Sequence, residues 1–313
     1  MAEETTVKTE NKTQPFAGER KATVWEVLSS KKYFKWVIII PLLLLLGFFM
    51  LYPLFYCMYY SFYEWGMRTE AVFVGLHNYR ELLHDTSFLT ALGRTFQVMV
   101  ICICSELLIG LGLAMLWTRE FRGQNVVRGF CLLPLLVAPL ILSLLWNFML
   151  EYDFGAVNLI LETIGLGKVY WWKPDKALYT ICAITIWQWF PFSVFVLVAG
   201  LRSLPRDVFE AARVDGASPG YTFRRLTLPM LSPLIMIIVV LRVMWLMRLF
   251  DPLYGTTRGG VGTELLDWTI YRTAFVYFDV GYGSAMAMFS LVLTIAVCAV
   301  MFRVLMKALG VIK

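Results

Sequence analysis

Five polar side chains stand inside long apolar runs: Glu106, Gln188, Arg242, Arg248 and Asp251. A charge in such surroundings is expensive unless it is paired or faces a cavity. Arg248 and Asp251 are three residues apart and can pair if one helix carries both. Arg242 has no acidic residue at helical spacing in its own run, and Glu106 is its candidate counter-charge. Around these groups lie Asn147, Trp187, Trp189, Phe192, Trp245 and Tyr254. Aromatic faces beside amides and charges suit a polyhydroxylated solute, whose apolar face stacks on a ring while its hydroxyls pair with polar groups. Arg242 and Arg248 also suit an anionic derivative, such as a uronate, a sulfonated sugar or a phosphorylated polyol. The plainer alternative is that the aromatic residues pack against neighbouring helices and that Glu106 and Arg242 neutralise each other.

Other chemistries find little support. The two histidines, His77 and His84, lie together in a polar stretch with no cysteine near them. All six cysteines, Cys57, Cys102, Cys104, Cys131, Cys182 and Cys298, fall in apolar runs and read as small buried hydrophobes. Neither a disulfide framework nor a metal site follows from their spacing. The chain has no Gly-x-x-x-x-Gly-Lys-Ser/Thr phosphate loop. An integral membrane enzyme would need a cluster of catalytic groups. A self-contained secondary transporter would show inverted repeats and discontinuous helices, and neither is visible in the sequence.

Composition says what must position these residues. Hydrophobic residues make up 59% of the chain and charged ones 16%, and the mean hydropathy is +0.68. A soluble domain carries roughly 25% charge, so an all-α integral membrane protein is expected. Six runs are long enough to span a bilayer: about 36–61, 94–117, 129–150, 177–200, 233–255 and 284–306. The first lacks the shape of a cleavable signal and is expected to stay as a span. The polar tail 1–35, with a disordered stretch over 1–22, precedes a six-helix domain over 36–306, and a short tail 307–313 follows.

Lysine and arginine set the orientation. The N-terminal tail, the loop after the second span, the insert between the fourth and fifth, and the C-terminus together hold 18, against 8 on the opposite side. Both termini and the insert are therefore expected to be cytoplasmic. This asymmetry also accounts for the net charge of +6 without a nucleic-acid partner.

The insert, 202–232, is the most specific part of the chain. It contains Glu210-Ala211-Ala212, three residues, Gly216, nine residues, and then Leu226-Thr227-Leu228-Pro229. Ser203 can cap a helix whose early Pro205 is tolerated in the first turn. That helix should run to about Val214 and stop at Gly216, in the left-handed conformation that glycine adopts freely. Ser218-Pro219 repeats the cap-plus-proline start, for a second helix ending near Leu228-Pro229. Ala211 and Ala212 offer a small, smooth face, with Glu210 and Arg213 as rim charges.

This pattern resembles the coupling loop of permease subunits in bacterial ABC importers, with Leu226 where isoleucine is usual. Phe73-Val74-Gly75-Leu76-His77-Asn78-Tyr79 and Trp187-Gln188-Trp189-Phe190-Pro191-Phe192 resemble segments of the carbohydrate-uptake branch, in particular the maltose/glycerol-phosphate-type first permease. So does Thr257-Arg258-Gly259-Gly260, although Val261 stands where proline is more usual. The resemblance implies a subunit without catalysis of its own in the bacterial inner membrane. It implies a second permease subunit, two ATPase subunits that hold ATP and Mg, and an external solute-binding protein. Glu210, Ala211, Ala212, Asp215, Gly216, Leu228 and Pro229 would engage the ATPase, and this chain would bind no cofactor.

Overall fold

A computed structural model describes residues 31–67, 70–118 and 122–308. The expected disordered stretch 1–22 and most of both tails lie outside the described residues. The chain divides into two compact units, Met1–Tyr56 and Cys57–Lys313. The first unit holds most of α1 (Lys31–Tyr60), an almost wholly apolar helix that keeps Pro41 and Pro53 inside it. Phe48 and Tyr52 stack along one side of α1, with ring centroids 5.7 Å apart.

The second unit begins with a two-stranded antiparallel sheet, β1 (Tyr63–Glu64) and β2 (Val72–Phe73), in which Tyr63 faces Phe73. A short helix, α2 (His77–Leu82), follows. Its buried Asn78 donates to the carbonyls of Ser61 and Tyr63 at 3.0 and 2.9 Å, pinning the turn after α1. The second span, α3 (Thr86–Trp117), starts eight residues earlier than expected. Asp85 explains this: its carboxylate accepts from the amides of Ser87 and Phe88, and Tyr282 donates to its other oxygen at 3.0 Å. One side chain thus caps α3 and ties it to the start of the last span.

The expected third span is not one helix. It is α4 (Gln124–Leu136) and α5 (Pro139–Met149), bent by 100° at the intervening two residues. Pro139 has no amide to continue the ladder and disfavours helical geometry at Ala138. Discontinuous helices are therefore present, contrary to the reading of the sequence. With the bent pair counted as one, the described residues hold six candidate spans, five of them unbroken. A short helix, α6 (Ala156–Thr163), leads to α7 (Ala177–Ser203), the fourth span.

The insert forms α8 (Arg206–Val214) and α9 (Pro219–Thr222). Two expectations need correction. Ser203 does not cap α8; it is the last residue of α7 and donates to the Gly200 carbonyl. Nor does the second helix end at Leu228-Pro229: α9 passes through a π-helical stretch (Phe223–Thr227) directly into α10 (Leu228–Leu246). Pro229 lacks an amide and would crowd an ordinary helical turn behind it; the wider turn relieves that clash, so the chain continues. The fifth span accordingly begins and ends earlier than expected. After it come α11 (Asp251–Tyr254), α12 (Leu266–Tyr271) with a π-helical stretch (Arg272–Val276), and the last span, α13 (Val280–Ala308).

Two apolar clusters hold the spans of this unit together. One joins Phe88, Val98 and Cys102 of α3 to Ile181 of α7, Val243 and Leu246 of α10 and Met286 of α13. The other joins Ala114 and Trp117 of α3 to Val194 and Leu197 of α7 and Leu231 and Ile238 of α10. Cys102 and Cys182 are buried, but Cys104 is exposed, because two residues of helical advance turn it to the opposite face.

The backbones of α3 and α7 come closest at Gly110, where an added Cβ would lie 2.8 Å from the Ser193 Cβ. Small residues at such crossings allow the close packing that holds membrane helices together. Gly110→Leu should therefore cost about 1–3 kcal/mol or more through overpacking. Gly112→Leu, with no atom within 4 Å, should be neutral. Thermal unfolding of the detergent-purified protein compares the two.

Candidate functional site

Two regions carry the expected functional residues. The first is the insert. Gly216 stops α8 as expected, with φ of +77°. Its amide bonds to the Arg213 carbonyl and the Ala217 amide to the Ala212 carbonyl, so the last carbonyls of α8 are satisfied by the turn. Ser218 caps α9 by accepting from the Tyr221 amide at 3.3 Å. Glu210, Ala211, Arg213, Asp215 and Gly216 are exposed and Ala212 is half-buried.

α8 presents two different flanks. Arg206, Phe209, Glu210 and Arg213 border a cleft of about 720 Å³ against Thr118, Leu201 and Thr227 at the ends of the spans. Val208, Ala211, Ala212 and Asp215 border the other, about 840 Å³, with Gly216, Tyr221 and Leu226. Val214, at the tip, is 87% exposed. Among the described residues neither Glu210 nor Arg213 forms an ion pair. Leu228 and Pro229 are exposed, but inside the continuing helix rather than at its end.

The second region is a cavity of about 350 Å³ among α5, α7, α10 and α11. It collects Gln188, Trp189, Arg242, Trp245, Arg248 and Asp251 from the expected set. It does not collect the other four. Asn147 is half-buried on α5, Trp187 packs edge-on against Trp146, and Phe192 packs into the second apolar cluster. Tyr254 belongs to an aromatic group with Phe250, Trp268 and Tyr271.

Within the cavity the polar groups have distinct roles. Arg242 is 2% exposed and Glu106 wholly buried. The guanidinium makes a two-point bond to the carboxylate, both distances 2.6 Å, and lies 4.8 Å from the centre of the Trp189 ring. Such a fork satisfies charge and geometry together. The anion-binding role considered for Arg242 is therefore taken by Glu106. Gln188 donates to the Val137 carbonyl at 3.2 Å, the group exposed by the break between α4 and α5. Without that bond the break would leave an acceptor unpaired in an apolar setting.

The expected Arg248–Asp251 ion pair is absent: no carboxylate among the described residues lies within 4 Å of the Arg248 guanidinium. α10 stops at Leu246, so the helical spacing on which that pairing rested does not exist. Instead the Asp251 carbonyl accepts from Ser143 at 3.2 Å, which seats α11 against α5.

Sequence reasoning missed Asp267. It lies on α12 and borders a second cavity of about 450 Å³, shared with Trp245, Arg248 and the α13 residues Ser290 and Thr294. Burial pushes its carboxyl pKa up, Arg248 pulls it down and Asp251 pushes it up again. Its mount is firm, because the Leu266 amide donates to the Thr95 hydroxyl at 2.9 Å. An aspartate within Leu265-Leu266-Asp267-Trp268 was the available signal. His77 and His84 are on the surface, near Glu81 and the Arg80 carbonyl respectively, and among the described residues no three His, Cys, Asp or Glu side chains gather as a metal site would need.

The family model for the binding-protein-dependent transport system inner membrane component matches residues 106–310, which includes α7 to α13 and the whole insert. The chain belongs to that family. Among curated proteins it is 34% identical to the probable ABC transporter permease protein y4oQ of Sinorhizobium fredii, covering 79% of this chain and 82% of that one. It is 31% identical to the trehalose/maltose transport system permease protein MalF of Thermococcus litoralis, over 86% and 92% of the two chains. It is also 31% identical to the sulfoquinovosyl glycerol transport system permease protein SmoG of Agrobacterium fabrum, over 86% and 89%. A solved bacterial ABC transporter involved in importing the acidic polysaccharide alginate shares the fold. Its TM-score is 0.73 at 19% identity, over 90% of this chain and 98% of that one. Membership makes this a multi-pass membrane transport component and removes the secondary-transporter reading, despite the broken third span.

The buried ion pair yields a direct expectation. Glu106→Ala strands the Arg242 charge and should cost about 3–5 kcal/mol, whereas replacing both partners with apolar residues of similar volume should recover much of that loss. Thermal unfolding of the two purified variants measures the difference.

Proposed function

We propose that this chain is the membrane subunit of an ATP-driven, binding-protein-dependent sugar importer, moved by α8. One observation carries the mechanical part. From Pro219 to Leu246 the chain is helical without interruption for 28 residues, about 40 Å at an ordinary helical rise. Its first residues follow the exposed α8–Gly216 turn, and its far end holds Arg242 and Trp245 at the cavity. A displacement imposed on the insert can thereby reach the solute cavity along one continuous helix. The exposed Ala211 and Val214, with Glu210 and Arg213 unpaired beside them, suit a partner's groove.

In this reading two ATPase subunits bind ATP and Mg and grip the insert of this chain and that of a second permease. An external binding protein delivers solute to the opposite side, and the chain itself binds no cofactor. In this reading the insert and both termini face the cytoplasm of a bacterium, which the charge asymmetry supports. The sugar assignment is supported by the solutes for which two relatives are named, trehalose/maltose and sulfoquinovosyl glycerol, and by the indole and amide lining of the cavity.

In proteoliposomes holding the complete transporter, Gly216→Val should disable coupling, because a β-branched residue resists positive φ. Glu210→Lys should weaken ATPase docking by about 2 kcal/mol, roughly 30-fold in affinity. Both should abolish or sharply reduce ATP-dependent uptake while leaving membrane insertion intact. Unchanged uptake in both variants, or pumping by vesicles that contain this chain alone, would contradict the proposal.

A further inference from the structure

Arg248 stands where the two cavities meet, since it borders both, together with Met244 and Trp245. Its guanidinium is exposed and has no ion-pair partner within 4 Å among the described residues. Taken alone it looks like an anion hook. Its surroundings say otherwise. Asp251 borders the first cavity and Asp267 the second, while the nearby Arg242 is already cancelled by Glu106. The one cation not already cancelled thus has two carboxyl groups beside it, so no excess positive charge is left for an anion. An anionic solute would lose hydration on entering and would have to compete with Asp251 and Asp267 for Arg248.

The same groups suit hydroxyls. A carboxylate accepts from two neighbouring hydroxyls at once, and a guanidinium donates to others. Trp245 and Trp189, in edge-to-face contact at 3.8 Å between centroids, place ring surface beside them. Both carboxylates are on supported backbone: Ser143 bonds to the Asp251 carbonyl, and Thr95 to the amide beside Asp267. We infer that the cavity pair selects an uncharged polyhydroxylated solute and discriminates against anionic sugars, with Asp251 and Asp267 accepting from its hydroxyls and Arg248 donating. This rests on the sugar-importer reading and narrows it. It separates this chain from two similar proteins whose named solutes, sulfoquinovosyl glycerol and alginate, are both acidic.

The test uses proteoliposomes with the complete transporter and a radiolabelled panel. Neutral probes are trehalose, maltose, raffinose and sorbitol; acidic probes are sulfoquinovosyl glycerol, glucuronate, galacturonate and an alginate disaccharide. At least one neutral probe should be imported and every acidic probe excluded. Asp267→Asn should raise KM for the neutral probe about tenfold or more, the loss expected for a hydrogen bond to a charged group. It should leave the amount of assembled complex, measured by co-purification of the ATPase, unchanged. Should that variant fail to assemble, Asp251→Asn is read in its place. Import of an acidic probe as fast as the best neutral one, or of no neutral probe at all, overturns the inference, as does an unchanged KM in an assembled variant. ATP dependence is read in parallel, so that ATP-fuelled import of an acidic probe sinks the charge assignment alone, whereas import without ATP sinks the transport reading.

Discussion

The bidentate contact between Arg242 and Glu106 organises the membrane part of the second unit. It joins α3 to α10, and the guanidinium lies over Trp189 of α7, so three spans meet at one charge. The apolar clusters lie on either side of that level, one containing Cys102 and Val243 and the other Ala114 and Ile238. Apolar packing alone leaves rotation and register of neighbouring membrane helices weakly specified, because lipid is as apolar as leucine. A two-point ionic fork permits one arrangement, since any slip strands a charge in a medium that cannot solvate it.

From that contact the rest of the cavity follows. With Arg242 held, Trp245 and Arg248 project from the same helix end toward α5, α11 and α12. Two interruptions shape the space, at Val137–Ala138 and after Leu246. At the first, Gln188 bonds to the freed Val137 carbonyl; beyond the second, the Asp251 carbonyl accepts from the Gly255 amide and from Ser143, which seats α11 on α5. Irregular backbone at membrane depth is tolerable only where such partners exist or a cavity is lined. Here both conditions hold at once.

At the other end of α10 the chain meets a different constraint. α8 lies outside the spans and α9 is the exposed start of the fifth, both with little burial of their own, so their geometry depends on local signals: Gly216 at positive φ and the Ser218 cap. The π-helical stretch before Leu228 lets Pro229 sit within a continuous helix, joining this locally built piece to the rod behind it. Helical continuity between insert and cavity therefore depends on how Pro229 and Pro233 are accommodated.

The chain by itself determined whatever depends on composition or on neighbours in sequence. Apolar runs made it a helical membrane protein, and the Glu210–Gly216 pattern produced α8 with the expected stop at Gly216, although Ser203 does not cap its start. The absence of an acidic residue near Arg242 in its own run pointed to Glu106. What only the tertiary structure decided was which polar residues share a space. Trp187 and Phe192 are neighbours of Trp189 in sequence yet face other helices, while Asp267 is remote in sequence yet borders the same region as Arg248. Helix ends at Leu246 and Leu136 were equally hidden, because a proline can end a helix, as Pro139 does, or be absorbed by a wider turn, as Pro229 is. The outcome depends on whether a distant side chain is present to satisfy the backbone groups that the break sets free.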